Sequence, residues 1–216
     1  MKSFLPAAYT LFFLLSCGNH NQKSETKIWG GTEVPENEWL STVGITKNGY
    51  IYCSGTIIHP RVVITAAHCI NPVNRMRDTS IYIGTGNPTR RVTNVHRVIA
   101  GFQNPKHNQA GEWDGDVGYL ITAKPLPIDE KNIIPVLHNK KEIELLLQPG
   151  KKTTIVGYGK REDNKAGVKY HAETEIISLT RNEAQIGGNG KDSCRYDSGG
   201  PAYTQPPNGE WRVFGV

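Results

Sequence analysis

The stretch YIYCSGTIIHPRVVITAAHC, residues 50–69, contains two apolar runs rich in β-branched and aromatic residues, separated by a His-Pro pair. Short runs of this composition, bounded by turn residues, are typical of β-strands. The first run carries Cys53, and the second ends at Cys69. Because the two runs are neighbours in the chain, we expect these cysteines to form a disulfide in an exported protein.

Similar runs occur before and after this stretch. They are STVGIT (41–46), SIYIGTG (80–86), RVTNVHRVIAGF (91–102), DVGYLIT (116–122), KTTIVGYG (152–159), VKYHAETEIISL (168–179) and EWRVFGV (210–216). The chain has 23 glycines in 216 residues, and long amphipathic helical repeats are absent from its sequence. These features predict an all-β barrel or sandwich. A proline-containing connector at 123–137 predicts two halves, residues 28–137 and 138–216.

The N-terminus, MKSFLPAAYTLFFLLSC, has one lysine followed by an apolar run too short to span a bilayer. It predicts a signal peptide at residues 1–16 and a propeptide or linker at 17–27. The run ends in Leu-Leu-Ser-Cys17, which resembles the lipobox of bacterial lipoproteins and predicts a lipidated Cys17. An ordinary cleaved signal with an incidental cysteine is the alternative. Both interpretations export the protein, either secreted or anchored by lipid to a bacterial cell envelope.

Charge and histidine spacing argue against several other functions. The formal net charge is +5, and the basic pairs at 90–91, 140–141 and 151–152 are scattered, so we expect solvated faces and no nucleic-acid binding. We also expect no cofactor and no bound metal. The histidines that lack metal-ligand spacing are expected at the surface; they are His20, His59, His96, His107, His138 and His171.

Three residues are candidates for acyl-transfer chemistry. His68 follows an apolar run and directly precedes Cys69, whose disulfide would fix the imidazole as a general base. Asp116 enters the apolar run DVGYLI, where a partly buried carboxylate can orient an imidazole. Ser198, in KDSCRYDSGGP (191–201), stands between an acid and two glycines and is a candidate nucleophile. Taken singly, each has a simpler explanation as a surface or turn residue.

The order and spacing of the motifs resemble those of the trypsin-like (chymotrypsin-fold) serine proteases, family S1. The matching motifs are IWGG (28–31), CSGTII (53–58), TAAHC (65–69), DVGYL (116–120), VGYG (156–159) and DSGGP (197–201). The resemblance implies two antiparallel Greek-key β-barrels with a cleft between them, and hydrolysis of protein or peptide substrates. It also implies a catalytic triad in which His68 takes the proton of Ser198 and Asp116 orients His68.

The resemblance implies further site residues. Asp192 matches the acid on the floor of the specificity pocket, which implies cleavage after Arg or Lys; the alternative is a loop acid that faces water. An activating protease would cut after Lys27, and the new amine of Ile28 would pair with Asp197. The alternative for Asp197 is a loop or cap acid.

The sequence departs from the family at two points. Tyr196 replaces a glycine whose N–H forms the oxyanion hole together with that of Ser198. The loop is therefore strained but competent, or flips on substrate binding, or belongs to a weak or inactive homologue that acts as a binding module. The sequence also stops at Val216, before the family's last strand and helix, so we expect an incomplete C-terminal barrel. Cys194 would then pair in the missing part; a reactive thiol or a link to another chain is the alternative.

Overall fold

The structure is a computed structural model that describes residues 28, 30–71, 76–107, 115–161 and 163–216. The β-strands of these ranges, in chain order, are β1 (Thr32–Glu33), β2 (Thr42–Lys47), β3 (Tyr50–His59), β4 (Val62–Thr65), β5 (Thr79–Tyr82), β6 (His96–Gln103), β7 (Gly118–Thr122), β8 (Lys152–Gly157), β9 (Tyr170–Leu179), β10 (Ala184–Gly187), β11 (Ala202–Thr204) and β12 (Arg212–Gly215). Short 3-10 helices cover Ala67–Cys69 and Glu130–Asn132, and an α-helix, α1, covers Lys140–Leu146. Asn139 caps α1, since its side chain accepts hydrogen bonds from the first-turn amides of Lys141 and Glu142.

The first half of the chain forms a closed antiparallel barrel with the strand order β2-β3-β4-β7-β6-β5. Inward-facing aliphatic side chains fill it and are almost fully excluded from water; they include Val43, Ile45, Ile57, Val63, Ile81 and Leu120. Burial of each such side chain stabilises the fold by about 1.5–3 kcal/mol. The two runs of residues 50–69 are adjacent strands of this barrel, as the sequence predicts.

The second half forms an antiparallel sheet with the order β1-β9-β8-β11-β12, and β10 pairs with β9. Strand β1 lies at the start of the first half, at Thr32–Glu33, and Thr32 pairs with His171 of β9. In the described ranges this sheet is open, whereas the first barrel is closed. The predicted all-β fold is confirmed.

The Cys53–Cys69 disulfide, predicted from the sequence, is present and joins β3 to the 3-10 turn that follows β4. The turn is also held from outside, because Gln103 donates to the carbonyls of Ala67 at 2.8 Å and Ile70 at 3.0 Å. The middle residue of the turn is His68. Its backbone is therefore fixed by a covalent link and by hydrogen bonds from β6.

Hydrogen bonds connect the two halves. The hydroxyl of Tyr203, on β11, lies 3.0 Å from both Ser41 Oγ and Thr42 Oγ1. The buried Tyr158 hydroxyl donates to the carbonyl of Gly84 at 2.6 Å. Because these groups are buried, the bonds fix the relative placement of the halves at the cleft.

The predicted signal peptide, Cys17 and Lys27 lie outside the described residues. Within the described part of the chain, helices of the length and apolar character that a bilayer requires are absent.

Candidate active site

Asp116 holds both the ring and the backbone of His68. The imidazole Nδ1 of His68 lies 2.6 Å from Asp116 Oδ2, and the backbone N–H of His68 donates to Asp116 Oδ1 at 2.8 Å. The Asp116 side chain is 15% exposed and that of His68 is 38% exposed. Since an ionised carboxylate only accepts hydrogen bonds, Nδ1 carries the proton and Nε2 keeps its lone pair. In this neutral tautomer the ring can accept a proton at Nε2.

A second histidine lies against the same carboxylate. The side chain of His107 is only 7% exposed, and its Nδ1 lies 3.6 Å from Asp116 Oδ1. The sequence-based expectation that His107 is a surface residue is wrong. The pairing of Gln103 on β6 with Gly118 on β7 brings the residues beyond these strand ends together. That register is a long-range property of the barrel, so the sequence gives no local signal for this contact.

Ser198 and His68 line the same cavity, which has a volume of about 690 Å³ and also includes Asp116. The carbonyl of Ser198 accepts a hydrogen bond from the N–H of Ser54 on β3 at 2.9 Å. This bond anchors the loop that carries Ser198 to the first barrel. The structure therefore places the three candidate residues, which are far apart in sequence, around one opening between the two halves.

Gly199 lets this loop approach the barrel closely. Its φ is +78°, and a Cβ at this position would collide with the hydroxyl of Thr65 and lie 2.6 Å from the backbone N of Ala66. At Gly200, a Cβ would lie 2.8 Å from the carbonyl oxygens of Asp197 and Val156. At both positions the atoms that a Cβ would meet belong to neighbouring segments of the same chain. The glycines are required for seating Ser198 beside the turn that carries His68.

Asp197 is a buried carboxylate held by backbone donors. Its Oδ1 accepts from Gly159 N at 2.7 Å, and its Oδ2 accepts from Cys194 N at 2.9 Å. Burial raises the pKa of Asp197 to about 7, and the charge of Asp192 adds to the rise, although the two backbone hydrogen bonds oppose it. Ile28 is buried, packs with Ile155 and other residues of the second half, and lines the same cavity as Asp197.

Tyr196 adopts the backbone conformation that glycine favours, with a φ of +80°. The carbonyl of Arg195 accepts a hydrogen bond from Lys160 N at 2.7 Å, and the carbonyl of Tyr196 accepts one from Ser54 Oγ at 3.1 Å. Because the C=O and N–H of a trans peptide point in opposite directions, the N–H of Tyr196 points away from Lys160. Among the described residues, the backbone N–H groups of Tyr196 and Ser198 donate to no protein acceptor.

Asp192 lies at the edge of this site. Its side chain is exposed, and its Oδ1 accepts a hydrogen bond from Ser193 N at 2.7 Å. The neighbouring residues Ser193 and Cys194 line the cavity, whereas Asp192 is not among the described residues that do so.

Potential metal ligands converge at one place in the described ranges. Ligand atoms of Cys53, His68 and Cys69 lie within 4.8 Å of one another. Because both sulfurs belong to the disulfide, they have no thiolate with which to bind a cation. The cluster does not fit a metal centre.

Comparison with known proteins gives consistent matches. The family model described as Trypsin matches residues 28–216. Transmembrane protease serine 11E of Mus musculus is 26% identical over 95% of this chain and 52% of its own length. Venom serine protease 34 of Apis mellifera is 28% identical over 88% of this chain and 51% of its own length. Transmembrane protease serine 9 of Rattus norvegicus is 29% identical over 90% of this chain and 20% of its own length. The chain spans about half the length, or less, of these curated relatives.

Proposed function

Because the chain belongs to the trypsin family of serine proteases, we propose that it is a serine endopeptidase acting on protein or peptide substrates. The observation that carries the proposal is the 2.6 Å contact between His68 Nδ1 and Asp116 Oδ2, on a cavity that Ser198 also lines. The three roles are those of the family's own triad.

In the proposed reaction, the Oγ of Ser198 attacks the scissile carbonyl carbon and its proton passes to Nε2 of His68. The resulting imidazolium is stabilised by Asp116, whose other oxygen is held by the His68 backbone. The tetrahedral intermediate collapses as His68 gives the proton to the leaving amine. Water, deprotonated by His68, then hydrolyses the acyl-enzyme and regenerates Ser198.

The charge on the intermediate needs donors, and we assign them to the backbone N–H groups of Tyr196 and Ser198. The orientation of the 195–196 peptide supports this assignment, because Lys160 holds its carbonyl and the Tyr196 N–H points the opposite way. Such a donor contributes about 3 kcal/mol to transition-state stabilisation. The left-handed φ of Tyr196 costs about 1–2 kcal/mol for a residue with a Cβ. This strain is smaller than the transition-state stabilisation that the Tyr196 N–H supplies.

For substrate selection, we propose that Asp192 attracts an arginine or lysine side chain and that cleavage follows that residue. Its exposed carboxylate adjoins Ser193 and Cys194, which line the cavity. A cation approaching through the cavity would therefore find an acidic group at its edge.

We propose that the chain is a zymogen that an activating protease cuts after Lys27. The new ammonium of Ile28 would pair with Asp197, a buried carboxylate that has backbone donors and a raised pKa. An ion pair with that amine would offset the desolvation of the carboxylate. Burial of Ile28 against the second half supports the assignment, because its side chain is already seated beside the same cavity.

We further propose export, since the Cys53–Cys69 disulfide suits an oxidising compartment. If lipid is attached at Cys17, residues 18–27 link the anchor to the protease, and cleavage after Lys27 releases the enzyme from the membrane. Retention of the cleaved form in the membrane fraction would refute this release.

A binding module without catalysis is the competing function, and the replacement of a family glycine by Tyr196 favours it. Hydrolysis of chromogenic amides by protein cut after Lys27 distinguishes the two. We expect turnover of arginyl and lysyl amides above that of matched phenylalanyl amides, and none from the Ser198→Ala variant. A cut, folded protein that hydrolyses none of them contradicts the enzyme and supports the module.

A further inference from the structure

The ring of Tyr196 is in contact with a cation from the first half of the molecule. The Cζ of Arg90 lies 4.4 Å from the centroid of the Tyr196 ring, well inside the range of a cation–π contact. Arg195, the preceding residue, lies farther away at 5.8 Å and is exposed. The closer contact therefore joins the loop that carries Ser198 to a different part of the chain.

Arg90 is itself fixed to the first barrel. Its carbonyl accepts from Ile51 N at 3.0 Å, and its guanidinium Nη1 donates to the carbonyl of Ile51 at 3.3 Å. Its own N–H donates to the carbonyl of Asn87 at 2.8 Å. Ile51 is a buried residue of β3, the strand that also carries Cys53. The guanidinium therefore occupies a defined position instead of moving freely at the surface.

Tyr196 needs such a support, because a φ of +80° is unfavourable for a residue with a Cβ. The alternative conformation would turn the neighbouring peptide and remove the Tyr196 N–H from the substrate oxygen. The hydrogen bonds from Lys160 to the Arg195 carbonyl and from Ser54 to the Tyr196 carbonyl hold the backbone on either side. The Arg90 contact holds the side chain at the same residue.

We infer that Arg90 is a positioning residue that keeps the Tyr196 N–H directed at the oxyanion, an inference that rests on the proposed protease function. Tyr196 has an aromatic ring, which glycine lacks, and Arg90 holds this ring in place through the cation–π contact. Arg90 is not among the described residues that line the cavity of His68, Asp116 and Ser198. Its effect is on the fraction of molecules whose oxyanion donor is in place, so it changes kcat and not substrate affinity.

A double-mutant cycle tests this inference. Arg90→Met keeps the aliphatic stem and removes the cation; we expect kcat to fall about tenfold, the equivalent of one cation–π contact, with KM unchanged. In the Tyr196→Gly background the same substitution has no effect. Arg90→Lys restores most of the activity. The matched control is Arg91→Met, because Arg91 lies over a different ring, 5.9 Å from the centroid of Tyr50. We expect this substitution to leave kcat unchanged.

Hydrogen exchange of the Lys160 amide, which donates to the Arg195 carbonyl at 2.7 Å and loses this bond if the 195–196 peptide turns, is measured in the same variants and needs no enzymatic activity. We expect Arg90→Met to accelerate it and Arg91→Met to leave it unchanged. Equal kcat losses from Arg90→Met with and without Tyr196, or unchanged kcat and exchange, would overturn the inference. Absence of turnover in the parent protein with accelerated exchange in Arg90→Met would instead overturn the protease function and leave the positioning role supported.

Discussion

We expect Asp197 to make the unfolding free energy of the uncleaved chain depend on pH, and Asp197→Asn tests this. Burial raises the folded-state pKa of Asp197 from 3.8 to about 7. In the unfolded chain the group ionises near its ordinary pKa, so between the two values the folded state binds the extra proton. The stability that Asp197 contributes is therefore fully present below pH 3.8 and is lost as pH rises to about 7. The pKa difference corresponds to about 4 kcal/mol.

Asparagine removes this pH dependence but brings a fixed penalty. One of the two carboxylate oxygens becomes an NH₂ group, which then faces the N–H of Gly159 or Cys194. Leaving such a buried donor unsatisfied costs about 1–3 kcal/mol at every pH. We therefore expect Asp197→Asn to be less stable than the parent at pH 4 and more stable at pH 8. The two stability profiles cross between these values.

Urea unfolding of the uncleaved chain measures the effect, with Ser198→Ala in both proteins to prevent self-cleavage and the disulfide kept oxidised. Trp39 stacks against Tyr203 with a centroid distance of 4.9 Å and lies 4.8 Å from Trp211, so tryptophan fluorescence reports the contact between the halves. Parallel profiles of unfolding free energy from pH 4 to pH 8 would contradict the raised pKa of Asp197. If the Ile28 ammonium pairs with the carboxylate after cleavage at Lys27, as proposed, the parent's loss of stability with rising pH should be smaller in the cleaved protein.

Other substitutions test the remaining parts of the account. Asp116→Asn should lower kcat about 10⁴-fold, the size of the same change in the family's studied triad, with an unchanged circular dichroism spectrum; a loss under tenfold would contradict the role of Asp116. Lys169 is buried, and burial lowers its pKa from 10.5 to about 7. Lys169→Met should therefore exceed the parent in unfolding free energy at pH 6 by a few kcal/mol, and this difference should narrow as pH rises from 7 to 10. The control is Lys47→Met, which replaces an exposed lysine. A difference between Lys169→Met and the parent that is constant with pH would contradict this. Replacing Cys53 and Cys69 by serine should lower the unfolding free energy by about 3 kcal/mol, since the bridge closes a loop with a separation of 16 residues; an unchanged melting temperature would disagree.

The sequence predicted the barrel strands and the disulfide because these depend on local patterns. Apolar runs with turn residues between them indicate strands, and Cys53 and Cys69 lie on neighbouring runs. The positions of His68, Asp116 and Ser198 could be predicted from motif order. Their convergence on one cavity depends on how the two halves pack against each other. The family resemblance implies this packing, and the structure describes it.

Residues that act through long-range contacts could not be predicted in this way. Arg90 belongs to a basic pair that the sequence assigns to a solvated face, yet it is half-buried and stacks on Tyr196. Lys169 lies beside strand β9 in a run whose alternation gives no sign that a lysine is buried there. His107 reaches Asp116 only through the register of β6 and β7. Arg90 and Lys169 contact Tyr196 and the carbonyl of Trp39, respectively, and each of these partners lies more than 100 residues away in sequence.

The proposed mechanism requires that His68 and Asp116 make Ser198 a nucleophile, and reaction with a fluorophosphonate probe measures this directly. With protein cut after Lys27, we expect one phosphonyl group per chain, located by mass spectrometry on Ser198, and a much slower reaction in the His68→Ala variant. A correctly cut and folded protein that stays unmodified, or that is modified equally fast without His68, would contradict it.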